Sequence, residues 1–458
     1  MKVRDAMNDL QENHIILGTR SRKFSSSGHA WFISYLLSNV SGGLTSPLIP
    51  LFVVIYLHYS VVYVGIISSL SSAASVPALI FWGNLSDILK KRKVFIVIGF
   101  AGSFLSLLLI LITHTIGMYI ATLVVYQIIA MASTPVATLL ILESTVEKKW
   151  PNVMSSFNTI SYIGLVAGLA AGTIILNIFG HGGPAILPML YFYSAIVYLA
   201  AALSAIFLLP EPARKLDRNA GKLNRVASFR MVERIRYFPS SVIHIISLRQ
   251  GNGRKLSSRT RTYIFYTCML MFGFQLFFVP FPVFLIDRLG GTETEIFIMY
   301  LLNNIASLLA FRISGKTVER AGLGKTMSMA IFSRVSILAF STILGLWLVH
   351  ISGSLWIGVA CYSIMGFFWS FISISWVTSI SKLAIPENRG KAIGYYNSFL
   401  GIGQIGGGLA SGFISGIFGY PADFLVAMFA VLIGGIFLVR FQKNMDPYMN
   451  AGQQAPES

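Results

Sequence analysis

The chain has 458 residues, of which 55% are hydrophobic and 11% charged, with a mean hydropathy of +0.71. Soluble domains carry about 25% charged residues, so too little charge is present to coat a water-facing surface. Its 35 Lys and Arg against 17 Asp and Glu give a formal charge of +18, and the long apolar runs between them exclude a soluble enzyme, a disulfide scaffold and a disordered chain.

The amino-terminal stretch 1–29 is polar, with Arg20, Arg22 and Lys23 just ahead of the first apolar run. It has no short apolar segment with a small-residue cleavage site, so no cleaved signal peptide is expected. Six apolar runs follow, at 30–57, 61–83, 94–112, 117–143, 152–179 and 187–209. A polar stretch, 210–260, opens at Pro210-Glu211-Pro212, which cannot continue a helix. Within it Val226, Phe229, Val232 and Ile235 recur beside Arg225, Arg230, Arg234 and Arg236. That spacing reads as a basic amphipathic helix on a membrane surface, or equally as a solvated linker with some helix. Six more runs, at 261–286, 295–314, 326–349, 354–380, 391–418 and 421–440, precede a polar tail, 441–458.

Each run has the ~20 residues that a helix needs to cross ~30 Å of hydrocarbon. The alternation of barrel strands is absent. The predicted fold is all-α and integral to the membrane: twelve transmembrane helices as two pseudo-symmetric six-helix bundles, 30–209 and 261–440, joined by the linker 210–260.

If the first run starts in the cytoplasm, alternation puts every Lys and Arg on the cytoplasmic side except Arg288 on the other face and Arg312 and Arg334 within runs. This is the positive-inside signal, and it places both termini in the cytoplasm of a cell with this chain in its plasma membrane. Topology accounts for the charge, so nucleic acid is not an expected partner; the lipid bilayer and a small-molecule substrate are. Cys268 and Cys361 fall within runs and have neither CxxC nor zinc-ligand spacing.

Two internal echoes relate the halves. After the second run the chain reads FWGNLSDILKKRK, with Gly83, then Asp87 four residues on, then Lys90, Lys91, Arg92 and Lys93. After the eighth it reads RISGKTVERAGLGKT, with Gly315, then Glu319 four residues on, then Arg320, Gly322 and Lys325. Between the fifth and eleventh runs, Asn158, Gly164, Gly168 and Ala171 match Asn397, Gly403, Gly407 and Ala410 at one constant offset. Repeats in equivalent positions of two six-span halves build transporters whose site lies at the repeat interface.

On these residues the chain resembles the major facilitator superfamily of secondary transporters, over about residues 30–440. The family motif Gly-x-Leu-Ala-Asp-Arg-x-Gly-Arg-Arg/Lys is met by Gly83, Leu85, Asp87, Lys91 and Arg92, with Ile88 and Lys90 standing where Arg and Gly are usual. The second copy keeps Glu319, Arg320 and Gly322 but has Leu323 and Gly324 where basic residues are usual. Pro386-Glu387-x-Arg389-Gly390-Lys391 looks like the family's approach to helix eleven. The resemblance implies that Gly83 lets helix two pack against helix eleven. It also implies that Asp87 faces the amino end of helix eleven and Glu319 that of helix five, latching the cytoplasmic side while the outer side is open. Helix N-termini carry unpaired N–H groups and partial positive charge, which favours a carboxylate there. Ordinary inner-loop charges are the plain alternative, but they do not account for the duplicated spacing.

In the family, helices one, four, seven and ten line the cavity. Here they offer Asn39, Thr45, Gln127, Ser133 and Thr134, then Gln275, Trp369, Ser373 and Trp376. Neighbouring helices add Asn158, Asn303, Asn304, Asn397 and Gln404. Amides, hydroxyls and rings suit a neutral or amphiphilic organic solute, drug-like or sugar-like; interhelical hydrogen bonding is the alternative use of such residues.

Gly401-Ile402-Gly403-Gln404-Ile405-Gly406 fits GxGxxG, but it lies in an apolar run with no preceding strand. Gly324-Lys325-Thr326 ends like a phosphate loop, but Glu319 takes the place of its first Gly. No cofactor or metal is expected, and no enzyme, since no nucleophile–base or metal-ligand set is present. Helix five has Leu169 after Gly168, not the Pro of the family's antiporter signature, so antiport is not implied.

Ionisable residues inside spans are functional candidates. Glu143 lies near the cytoplasmic end of the fourth run, and Arg334 within the ninth, where snorkelling to the inner interface competes with solute contact. No Asp or Glu is expected near the middle of a run. If protons are the coupling ion, Glu143 carries them from an inner vestibule, or coupling does not use a central side chain. The reading is an alternating-access transporter of a small organic molecule. A transporter-like receptor or scaffold signalling through 210–260 is the alternative.

Overall fold

A computed structural model describes residues 30–89, 91–145, 149–179, 183, 185–209, 256–384 and 389–451. Tail 1–29, the linker with its amphipathic segment, Lys90, Pro386 and Glu387 lie outside the described residues. Every regular element described is helical. With no water in the hydrocarbon to satisfy backbone groups, a single chain of this composition must satisfy them within each span.

Among the described residues, twelve helices are long and apolar enough to cross a membrane. In the first half these are α1 Phe32–Tyr56, α2 Val61–Ser86, α3 Arg92–Ile110, α4 Ile116–Ile141, α5 Asn152–Phe179 and α6 Ile186–Leu208. In the second they are α7 Ser258–Leu289, α8 Glu293–Ala321, α9 Leu323–Leu348, α10 Ser354–Leu383, α11 Ala392–Phe418 and α12 Tyr420–Gln442. Alternation gives the protein two faces. We call the one holding the α2–α3, α8–α9 and α10–α11 connections the basic face.

Several helices run beyond the predicted spans. The α2 helix continues to Leu89 and α8 passes through Gly315 to Ala321, so both copies of the Gly–acid motif lie on helix ends rather than in loops. The α7 helix starts at Ser258, inside the stretch read as linker, and the α12 helix reaches Ala451, inside the stretch read as tail. Hydropathy marks where apolar residues stop, whereas Glu, Lys, Arg and Met sustain a helix beyond the hydrocarbon.

Proline interrupts α1, α4 and α7. In α1 the helix ends at Thr45 before Pro47, and its last turn, Phe52–Tyr56, is a π-helix. In α4 it stops at Ala130 and restarts at Thr134 with Pro135; in α7 it stops at Phe278 and restarts at Phe281 after Pro280. At the α4 break the released Ile128 carbonyl accepts from Trp82 Nε1 at 2.7 Å, and the Ser133 carbonyl, which accepts from the Ala137 N–H of the restarted helix, also accepts from Tyr35 Oη at 2.9 Å.

The halves pack alike. α1 lies against α5 and α6 as α7 lies against α11 and α12, and α3–α6 and α2–α4 have their counterparts in α9–α12 and α8–α10. The glycine echo is the α1–α5 seam repeated: Gly164 and Gly168 abut the carbonyls of Leu36 and Val40, and Gly403 and Gly407 abut those of Cys268 and Phe272. The apparent GxGxxG is thus a helix contact. Between the halves, α2 meets α11 and α5 meets α8.

Candidate functional site

The halves meet most closely away from the basic face. A Cβ placed on Gly65 of α2 would stand 2.6 Å from the Gly408 carbonyl oxygen of α11, and one on Gly412 would stand 2.9 Å from the Val62 carbonyl oxygen. Ser69 Oγ donates to the Ile405 carbonyl across the same seam at 2.8 Å. On the other seam Gly172 of α5 abuts the ring of Phe297 on α8, and further along the Tyr162 and Phe311 rings are 6.1 Å apart. Sequence reasoning overlooked Gly65 and Ser69. Their signal was present as small residues four apart on α2 facing Gly408, Gly412 and Gly416.

At the basic face the seams part. Among the described residues, a Cβ on Gly83 would meet only Pro135 of α4, at 4.0 Å, and one on Gly315 or Gly394 would meet nothing within 4 Å. The expected contact of Gly83 with helix eleven is not made among the described residues in this conformation; the α11 glycines abut α2 between Val62 and Val76. Glu319, Arg320 and Gly322 are exposed, as are Asn158 and Asn397 on the basic-face halves of α5 and α11. Arg92 is buried and donates to Ser86 Oγ at 2.5 Å, tying the start of α3 to the end of α2, while Lys91 is exposed. The backbone puts Asp87 in the last turn of the α2 helix and Glu143 at the end of the α4 helix; their side chains lie outside what the structure describes.

In the interior, several predicted cavity amides are engaged by backbone. Asn39 Nδ2 donates to the Tyr35 carbonyl at 2.8 Å and Asn304 Nδ2 to that of Tyr300 at 2.9 Å, each within its own helix. Asn303 Nδ2 donates across to the Tyr362 carbonyl of α10 at 2.7 Å, where Gly366 gives it room. Measured interhelical bonds of this kind average about 0.6 kcal/mol in a membrane, so this one fixes orientation more than it adds stability. Thr45 belongs to a hydroxyl cluster with Ser41 and Ser194 that joins α1 to α6. Trp376 is 1% exposed and stacked on Phe274, which makes it core rather than lining. Gln127, Gln275, Gln404 and Trp369 are half-buried, and Gln275 stands beside Gly407 at the α7–α11 contact.

Arg334 does not snorkel. Its side chain is fully buried among Phe274, Phe278 and Trp369, and Nη2 donates to the Met365 carbonyl. Asp423, absent from the candidate residues, is buried near the start of α12 and accepts from Ser415 Oγ at 2.6 Å. Tyr420 donates to Asp287 at 2.5 Å, joining α12 to α7 at the same face.

The sequence profile of the Major Facilitator Superfamily matches residues 31–384 and again 334–457. An uncharacterized MFS-type transporter of Methanocaldococcus jannaschii is 24% identical over 386 residues, 83% of this chain and 89% of that protein. Among solved structures, a POT family transporter in complex with 5-aminolevulinic acid superposes with a TM-score of 0.68 at 13% identity, covering 93% of this chain and 98% of its own. A nucleoside transporter superposes at 0.64 with 14% identity, covering 91% and 99%. A bacterial homologue of the human lysosomal transporter Spinster, inward-facing and unoccupied, superposes at 0.63 with 12% identity, covering 92% and 98%.

Proposed function

The chain belongs to the Major Facilitator Superfamily and is a membrane transporter, and from that premise we propose that it moves a small amphiphilic organic solute by alternating access. One observation carries the cycle: the α2–α11 seam is closed through Gly65, Gly408 and Gly412 at one face, while at the other, among the described residues, a Cβ on Gly83 or Gly315 would meet nothing across the bundles within 4 Å. With the basic face in the cytoplasm, as the charge asymmetry directs, this conformation is open inward. We take the duplicated motif, Gly83 and Asp87 with Gly315 and Glu319, as the latch of the opposite state.

An amphiphilic solute fits better than a sugar-like one. The amides of Asn39, Asn303 and Asn304 each spend a donor on backbone, whereas the second half gathers Phe274, Phe278 and Trp369 around a cation. Binding sites for such solutes are mostly apolar with few placed polar groups. The nucleoside transporter and the POT family transporter in complex with 5-aminolevulinic acid share the fold and differ in ligand chemistry, so the solute class rests on this chain's own residues. A solute-uptake screen in vesicles, with and without a pH gradient, tests the reading. Uptake of amphiphiles that saturates and is competed by related compounds is expected; uniform leakage in the screen would remove it.

A further inference from the structure

Arg334 lies eleven residues into α9, about 16 Å from Leu323 at ~1.5 Å per residue, and its side chain is 0% exposed. Nη2 donates to the Met365 carbonyl of α10 at 2.6 Å, but Nε and Nη1 have no partner. The guanidinium carbon is 4.3 Å from the centroid of Phe274, 5.4 Å from that of Trp369 and 5.5 Å from that of Phe278.

A guanidinium keeps its charge in any protein setting. Aromatic faces offset part of that charge, and a buried charge lacking a counter-charge is strongly unfavourable. This chain supplies none. The acids within its spans, Asp287, Glu293, Glu295, Glu319 and Asp423, all lie within a turn of a span end, and every other Asp and Glu falls beyond the spans. Nor does the fold require the cation. The repeat counterpart of α9 is α3, which packs on α6 as α9 packs on α12 and has no basic residue after Lys93. The charge is specific to one half, and two of its donor groups are unspent.

We infer that Arg334 binds the anionic end of the solute, a carboxylate, with Phe278 and Trp369 flanking the apolar body next to it. Trp369 and Phe278 are half-buried whereas Phe274 is buried, so we take their side as the approach to Arg334. Charge-assisted hydrogen bonds from a desolvated guanidinium are the strong kind, so the site discriminates a carboxylate from its uncharged amide. This deepens the transport reading and rests on it.

The test uses the full chain in nanodiscs at pH 7. Carboxylate–amide pairs with phenyl and naphthyl bodies, 4-phenylbutyrate with 4-phenylbutyramide first, are titrated by tryptophan fluorescence and by thermal stabilisation. The acids should bind at least ten-fold tighter than the amides. Arg334→Gln should bring each pair within two-fold, and Arg334→Lys, which keeps the charge without the planar fork, should fall between. Absence of any acid preference in the wild type overturns the inference, and so does loss of the preference when chloride alone saturates the stabilisation, which makes Arg334 a structural anion site. If Arg334→Gln does not fold, the wild-type ratio together with Trp369→Ala decides: weaker acid binding in Trp369→Ala is expected, and unchanged binding overturns the assignment. Alternating access is measured separately, by cysteine accessibility at the two faces, so its failure is distinguishable from this one.

Discussion

Gly65 of α2 and Gly408 of α11 face each other so closely that a methyl on the first would stand 2.6 Å from the carbonyl oxygen of the second. Two different halves of the chain share this contact, so it opposes any motion that separates them at that face. A side chain at Gly65 must push the helices apart. Gly65→Leu should therefore move the population toward the state closed at the basic face. A shift of about 1.4 kcal/mol changes the ratio of states tenfold. In a chain with Cys268 and Cys361 replaced, a cysteine at Val62 should react markedly faster in the Gly65→Leu background; an unchanged rate would mean that the seam does not gate.

The proposed latch makes the opposite demand. On that proposal its residues contribute when α2 and α11 approach at the basic face, so Asp87→Asn should leave folding and this conformation intact. The variant should express and unfold like the wild type while transport falls. The Val62 cysteine should react more slowly than in the unmodified latch, because the state it would have opened is less populated. Transport at the wild-type rate, with equal expression, would remove the latch.

The twelve spans and the kinship of the halves were legible because both are written in local patterns, apolar runs and small residues at fixed spacing. Gly164 and Gly403 were paired by their spacing, and each abuts a carbonyl on the neighbouring helix of its own half. The site was less legible. Asn39 and Trp376 look like lining residues by type and helix, yet one bonds its own backbone and the other is core; rotation about a helix axis is set by packing, which no single helix records. Asp423 was missed because it lies at a span edge, where an acid reads as a solvated end, and only the closeness of Ser415 shows it to be buried.

Tyr35 spans from α1 to the broken turn of α4, and its acceptor is the main-chain carbonyl of Ser133. Tyr35→Phe should cost about 1 kcal/mol, the usual net worth of such a bond, seen as a small fall in unfolding midpoint. Ser133→Ala keeps that carbonyl and removes a separate bond, from Ser133 Oγ to the Ala130 carbonyl at 3.0 Å, so the two losses should add in the double variant. A double variant that loses no more than either single one would assign the effect to packing near Gly99 instead.

Orientation is testable without the solute. Cysteines introduced singly as Ala220→Cys and Arg288→Cys, in the chain lacking Cys268 and Cys361, should label from opposite sides of sealed vesicles. Arg288 is exposed at the face away from the basic loops, and Ala220 lies in the linker that carries much of the positive charge. Ala220→Cys should react only from the cytoplasmic side; both reacting from outside would invert or break the topology.

Coupling is decided by where the acids are. A side chain that carries a proton between the two sides must be reached alternately from each, which suits a carboxyl buried near the middle of the bundles. Here Glu143 belongs to the basic-face end of the α4 helix and Asp423 to the first turn of α12 at the other face. Asp423 is held by Ser415 within the second half, both near the ends of their helices away from the basic face. Neither position is exchanged between the faces by a rocking of the bundles. Glu143→Gln and Asp423→Asn should therefore both retain solute exchange, and any accumulation driven by a pH gradient should survive in each. The assay reads exchange and gradient-driven accumulation separately. Retained exchange with lost accumulation in one variant would identify that carboxyl as the proton carrier and overturn the argument from position.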